Sequence, residues 1–243
     1  MVPAEHVQSG LTFKDGFNTH GEVLDYERGG PGDILKPYWQ TDDAVSPQSW
    51  CYVQGMSYYT DAELVHGFID RVSKGGNLLL NLSPLPDGSI PQRQKDILKA
   101  FGAFLKQSGT AIYATRAWDV YGEGPTKMGG GSFTQPRAGT SSDVRYTKSK
   151  DGDAMYAILL GWPGNGSSVS LSAVTASRFA VRPGKVFLFG PVGGQPIELS
   201  FTQDASGLKV TFPSTQPYTA VAYALKLSKS GTPPGPSPIP GGQ

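Results

Sequence analysis

Three stretches of this chain carry side chains able to do chemistry. In Tyr26-Glu27-Arg28 a carboxyl group stands between an aromatic ring and a guanidinium. Such a carboxyl is a proton-transfer group or half of a loop ion pair, and its spacing alone favours the ion pair. Trp39 and Trp50 are large apolar anchors in the polar, proline-rich stretch 29–49. A loop of that length inside a compact domain is functional or disordered, and two indoles argue against disorder. The third stretch holds Asn77, Asn81 and Asp87, for which loop-fixing hydrogen bonds are the plainer reading. Cys51 lacks a nucleophile's partners, and His6, His20 and His66 show no metal-ligand spacing. His66 falls within a helical pattern, where an exposed or structural role is expected over a catalytic one. No metal and no cofactor are expected.

These residues depend on the elements around them. Thr60-Asp61-Ala62-Glu63 reads as a capping box opening a helix, with Leu64, Val65, Phe68, Ile69 and Val72 on one face. Gly75-Gly76 ends it with a sharp turn. Leu78-Leu79-Leu80 is a continuous apolar run, which predicts a parallel strand buried on both faces. Pro84, Pro86 and Asp87-Gly88 build a rigid loop. A second helix is predicted from about Pro91 to Gln107, striped by Ile97, Leu98, Phe101, Phe104 and Leu105 and ended by Gly109. Helix, buried strand, loop and helix make an α/β unit. After Thr115, a Gly-, Pro- and Ser-rich loop (123–142) precedes strand candidates at 143–147, 154–160, 168–171, 185–189, 197–202, 208–212 and 220–227. That spacing predicts an antiparallel β-sandwich with no helix beyond about two turns. Residues 229–243 are low in complexity and are expected to be flexible, with almost nothing to bury.

The run Ser73-Lys74-Gly75-Gly76-Asn77-Leu78-Leu79-Leu80-Asn81, followed by Pro84 and Asp87-Gly88-Ser89-Ile90-Pro91, resembles the most recognisable motif of the α-L-fucosidases of glycoside hydrolase family 29. The match continues through Gln94, Leu98, Gly102, Gly109, Ala111-Ile112-Tyr113 and Thr115, and upstream through Trp39 and Ser49-Trp50. It is strong over residues 15–120 and weak beyond. The resemblance implies the C-terminal portion of a (β/α)8 barrel (1–115), an antiparallel β-sandwich domain (116–228) and a Pro/Gly-rich tail (229–243). A whole barrel takes about 250 residues, so the first five or so βα units are expected to be missing. The chain itself should then leave apolar surface on Leu78–Leu80.

The resemblance also implies a retaining mechanism, in which one carboxyl is the nucleophile and another the acid/base. The family's nucleophile is an Asp after a Trp near the end of an earlier strand, and no stretch here matches it. Trp118-Asp119 is the only Trp-Asp pair and follows the last barrel helix, so it is rejected. Glu27 is the best match to the acid/base, about a dozen residues before Trp39. Other members place a Glu directly after that Trp, but here it is Gln40, an amide that cannot act as an acid. Trp50 matches an aromatic that lines the sugar pocket, suited to the C5 methyl and ring C–H groups of fucose. Trp39 is a second substrate-binding candidate, by direct contact or as an anchor that shapes the pocket. Asn81 is expected toward the C-terminal end of its strand, where barrel sites are built.

Composition bounds the rest. The 243 residues carry 21 Lys+Arg against 20 Asp+Glu, a net charge of +1 that gives no electrostatic reason to expect nucleic acid or an anionic membrane. No apolar run approaches the ~20 residues of a membrane span. The single cysteine excludes an internal disulfide and a cysteine-rich zinc site. Met1-Val2-Pro3-Ala4-Glu5 lacks the basic start and apolar core of a signal peptide, although the resemblance implies an extracellular or secreted setting. The expected partner is a fucosylated oligosaccharide or glycoconjugate, with no nucleic acid and no membrane, and the sequence leaves the oligomeric state open. The competing reading is a non-catalytic carbohydrate-binding or structural β-sandwich protein that carries a remnant of barrel.

Overall fold

The computed structural model describes residues 12–14, 23–36, 38–182 and 184–238. Its first half runs β1 (Thr12–Phe13), β2 (Val23–Glu27), β3 (Gly29–Gly30), β4 (Trp39–Ala44), α1 (Asp61–Ser73), β5 (Gly76–Asn81) and α2 (Gln92–Ser108). Strands β1, β2, β4 and β5 lie side by side in that order, all parallel. The capping box forms as expected, with Thr60 accepting from the Glu63 amide and Glu63 from the Thr60 amide. Gly109 follows the last residue of α2.

Gly75-Gly76 has a steric cause beyond the turn. Gly75 takes a φ of +90°, and a Cβ on Gly76 would lie 2.4 Å from the Trp39 indole. Gly30 meets the same ring, where a Cβ would come to 3.0 Å. Trp39 therefore fills a slot that only glycines leave open, and its Nε1–H donates to the Lys74 carbonyl at 3.3 Å.

The run Leu78-Leu79-Leu80 is not buried on both faces. Leu80 packs with Leu82 against Val45, Leu64 and Ile97, whereas Leu79 is 57% exposed. The helices cover one face of β5, and none of the described residues covers Leu79 on the other. The stripe of α2 is likewise narrower than expected: Ile97 and Phe104 are buried, Phe101 and Leu105 partly so, and Leu98 is exposed.

The second half runs β6 (Thr115–Glu123), β7 (Gly131–Ser132), β8 (Val144–Ser149), β9 (Ala154–Leu159), β10 (Ser168–Leu171), β11 (Lys185–Leu188), β12 (Ile197–Leu199), β13 (Phe201–Asp204), β14 (Gly207–Thr211) and β15 (Tyr223–Ser228). Among the described residues no helix occurs in this half. A six-stranded sheet, β12-β11-β15-β9-β8-β6, packs on a three-stranded one, β10-β14-β13. The predicted strand 197–202 is two strands, because the chain changes sheets at Ser200. Every residue of β9 is buried. Met155, Ala157 and Leu159 face the sandwich core, while Ala154, Tyr156 and Ile158 meet Val65, Ile69 and Phe104 of the helices. The helices thus form a layer between the parallel sheet and the six-stranded sheet.

The tail expected to have nothing to bury is held through residue 238. Asp153 accepts from the amide and the hydroxyl of Ser230, Ser237 donates to the Leu105 carbonyl, and Pro234 is buried. Residues 239–243 lie outside the described residues.

The polar side of α1 is buried as well. Asp70 binds Lys74 at 2.7 Å and Arg145 of β8 at 2.6 Å. Arg71 binds Asp43 of β4 at 2.6 Å and the Gly29 carbonyl at 2.9 Å. His66 accepts the Gly139 amide on Nδ1 at 2.9 Å, which leaves Nε2 to donate to the Val221 carbonyl at 2.8 Å. The expected structural role is what its contacts describe. Burial pushes the His66 pKa below the ordinary imidazole value, against the upward pull of the Val221 carbonyl. The folded chain therefore takes up this proton less readily than the unfolded chain. The contribution of His66 is complete above about pH 6.5 and drains as pH falls through that value, at about 1.4 kcal/mol per pH unit at most. Urea midpoints at pH 7.5 and 5.5 should fall with acidification in the wild type and fall less in His66→Gln; equal falls would assign the loss to other groups.

Candidate functional site

The site is built on the C-terminal ends of the parallel strands, where α/β sheets place their ligands. Side chains alternate across each strand. Trp39, Thr41 and Asp43 point to the α1 side, as their bonds to Lys74, Gly29 and Arg71 require. Gln40 and Asp42 therefore point the other way, and register aligns Asp25 with Gln40 and Glu27 with Asp42. Asn77, Leu79 and Asn81 continue that face on β5.

The face carries a carboxylate cluster around one ammonium. Lys14 Nζ lies 3.1 Å from Glu27 Oε2, 3.1 Å from Asp42 Oδ2 and 3.8 Å from Asp25 Oδ2. Lys14 is thus a donor shared by the Glu27 and Asp42 carboxylates. Asp25 is 6% exposed, and Oδ1 of Asp25 and of Asp42 find no hydrogen-bond partner among the described residues. Burial raises the Asp25 pKa, and the Asp42 charge raises it further; the Gln40 amide and Lys14 hold it back in part. The Lys14 pKa stands above its ordinary value: desolvation works against this, and the bonds to Asp42 and Glu27 outweigh it. Lys14, Asp25 and Asp42 were not singled out in the sequence. The available signal was the spacing of two in Asp25-x-Glu27 and Gln40-x-Asp42, which sets each pair on one strand face.

Glu27 is the last residue of β2. Arg28 turns the chain with a φ of +50°, donates to the Ser46 carbonyl at 2.9 Å and lies over the Trp50 ring at 4.5 Å. Trp50 is half-buried, and its carbonyl accepts from Asn81 Nδ2 at 2.7 Å and Ser83 Oγ at 2.9 Å. Gln94 in turn bonds both backbone groups of Ser83 at 2.8 Å. The motif residue Asn81 and the neighbouring Ser83 thus fix the Trp50 loop, and Asp87 fixes its own turn by accepting from Ser89.

Other candidates fall elsewhere. Trp39 is fully buried and stacks edge-on with Tyr26 at 5.5 Å. It has no free face for a sugar, so direct contact is corrected to an anchor inside the wall. Trp118 belongs to the sandwich core and Asp119 is a surface partner of Lys148 at 3.6 Å, in keeping with their rejection. Cys51 is exposed and free. Among the described residues no His/Cys/Asp/Glu group could hold a metal ion, and no helix is long and apolar enough to cross a membrane.

Comparison with known proteins gives two family matches. The family described as Alpha-L-fucosidase matches residues 4–110, and that described as Alpha-L-fucosidase C-terminal domain matches residues 138–228. The chain is similar to the plasma alpha-L-fucosidase of Rattus norvegicus, 30% identical over 205 residues that make up 83% of this chain and 37% of that protein. It is similar to the tissue alpha-L-fucosidase of Homo sapiens, 30% identical over 205 residues, 82% of this chain and 38% of that one. The fold is similar to the crystal structure of Thermotoga maritima alpha-fucosidase in complex with fucose, with a TM-score of 0.64, 25% identity, and coverage of 92% of this chain and 46% of that one. The chain spans about two fifths of the length of the curated relatives it matches.

The electrostatics of the cluster can be read directly. In a carboxyl carbon NMR titration, Lys14→Met should raise the Asp25 midpoint and Asp42→Asn should lower it. An Asp25 midpoint that ignores both substitutions would mean that the three groups do not share one field.

Proposed function

We propose, since this chain belongs to the α-L-fucosidase family as its C-terminal part, that it carries the acid/base half of a retaining α-L-fucosidase site. The observation that carries this reading is Glu27 at the end of β2, next to an Arg28 stacked on Trp50. A proton-transfer group and an aromatic wall then stand at one end of the parallel sheet. Glu27 protonates the leaving glycosidic oxygen and later deprotonates water. Trp50 faces the methyl and C–H surface of the fucosyl ring. Lys14 is a positioning residue that donates to the Glu27 carboxyl, and Asp42 holds Lys14 in turn. No residue here matches the family's nucleophile, which a retaining reaction requires. The substrate class is a fucosylated oligosaccharide or glycoconjugate met in an extracellular setting.

General-acid help alone contributes about 10²–10⁴-fold, and without a nucleophile no glycosyl-enzyme forms. The purified chain should therefore bind L-fucose, with Trp50→Ala abolishing the binding. It should turn over an aryl α-L-fucoside very poorly or not at all. Robust turnover lost in Glu27→Gln would place a nucleophile within this chain, and Asp25→Asn and Asp42→Asn would then identify it. Absence of L-fucose binding would overturn the reading.

A further inference from the structure

The carboxylate face holds more acid than one ammonium balances. Asp25, Glu27 and Asp42 all lie by Lys14, and among the described residues none of the three forms another salt bridge. The Arg28 guanidinium is turned elsewhere, to the Ser46 carbonyl and the Trp50 ring. On β5 the same face offers Asn77, Leu79 and Asn81, none of which titrates. With every carboxyl ionised, Asp25 would be a charge almost fully out of water, beside a second negative charge and short of its own cation.

The geometry points away from that state. Lys14 Nζ is within hydrogen-bond distance of Glu27 Oε2 and Asp42 Oδ2, at 3.1 Å each, but stands 3.8 Å from Asp25 Oδ2, too far for such a bond. Oδ1 of Asp25 and Oδ1 of Asp42 are both sealed from solvent, and neither has a donor among the described residues. Two ionised carboxylates can only accept, so side by side they leave both oxygens unsatisfied, whereas one proton turns one of them into a donor to the other. Burial, the Asp42 charge and a hydrogen bond to the Asp42 side chain all raise the Asp25 pKa, against the Gln40 amide and Lys14.

We propose that Asp25 and Asp42 hold one proton between them, with Asp25 as the donor, and that this carboxyl pair is a positioning device for Glu27. A neutral Asp25 makes no demand on Lys14, whose ammonium is then divided between Asp42 and Glu27 alone. Ionising Asp25 adds a third carboxylate and draws Lys14 from Glu27. The positioning role rests on the proposed function of Glu27; the shared proton does not. Because folding raises the Asp25 pKa, the stabilisation from this proton is complete below the ordinary Asp value of about 3.9 and is lost as pH rises through the folded value, the reverse of His66.

The test is a carboxyl-carbon NMR titration of the full chain, which needs no sugar. In wild type the Asp25 midpoint should lie above that of the exposed Asp87, and the Asp25 and Asp42 carbons should move in the same two steps, as coupled groups do. The Glu27 carbon should register the Asp25 step as a secondary shift. In Asp25→Asn, where an amide replaces a neutral acid, Asp42 should move in one step, the secondary shift at Glu27 should vanish and the Glu27 midpoint should keep its wild-type value. A fall in that midpoint would show that the substitution removed a negative charge, and would overturn the proposal. Asp25 and Asp42 carbons that titrate independently in wild type would overturn it whether or not the variant folds, and a Glu27 carbon blind to the Asp25 step would overturn the positioning role. Failure of L-fucose to bind would overturn the function proposed for Glu27 and leave the shared proton standing.

Discussion

Asp70 holds two buried cations, and the rest of the structure is arranged around that arrangement. One oxygen takes Lys74 from the end of α1 and the other takes Arg145 from β8. Both cations also lie over the Tyr121 ring of β6. The Lys74 pKa is pushed down by burial and by Arg145, with Asp70 pulling the other way. A buried carboxylate with two cationic neighbours is costly to break: removing one partner of such a pair costs about 3–5 kcal/mol, because the remaining charge is left buried. The bonds run on through the cluster. Lys74 donates to the Met128 carbonyl and Arg145 to the Thr126 carbonyl, both in the segment that leads to Phe133. One residue along, Arg71 ties α1 to Asp43 and to the Gly29 carbonyl beside Glu27. A single helix thus fixes the sandwich, the linking segment and the strand ends in one frame.

This arrangement explains why the parallel sheet needs the sandwich. The apolar residues of α1 and α2 are shared between two partners, with Leu64 and Ile97 against the parallel-sheet side and Val65, Ile69 and Phe104 against β9 and β15. Hydrophobic burial supplies the bulk of the attraction and no direction. The direction comes from the polar set: Asp70 pairs with Arg145 of β8, Lys74 donates to the Met128 carbonyl and His66 to the Val221 carbonyl, while Arg71 ties α1 to Asp43 of the parallel sheet. A layer slipped by one turn of helix would leave those charges unpaired.

Much of this was legible in the sequence where local chemistry decides the outcome. The capping box, the 3.6-residue stripe of α1 and most of the sandwich strands depend on near neighbours and appear where their residues indicate. The Gly75-Gly76 run was legible as a turn, but its second cause, the Trp39 ring against Gly76, required a contact across 37 positions that no periodicity encodes. The burial of Asp70 depends on Arg145, 75 residues on, which no local pattern encodes. Strand β6 was missed because Asp119 and Gly122 break its alternation, at a register shift between Ala117 and Gly122. Glu27 and Trp50 are candidates by resemblance. Lys14, Asp25 and Asp42 became visible only when strands β2 and β4 and the residue after β1 were laid side by side.

Amide hydrogen exchange on Asp70→Asn tests this account most directly, read at Phe133 and Thr134. These amides donate to Glu27 and Arg28, and Asp70 touches neither of them. If the Asp70 network holds the linking segment to the strand ends, both amides lose protection in the variant, while β13 and β14 in the far sheet keep theirs. Undiminished protection at Phe133 and Thr134, with α1 still folded, would contradict it.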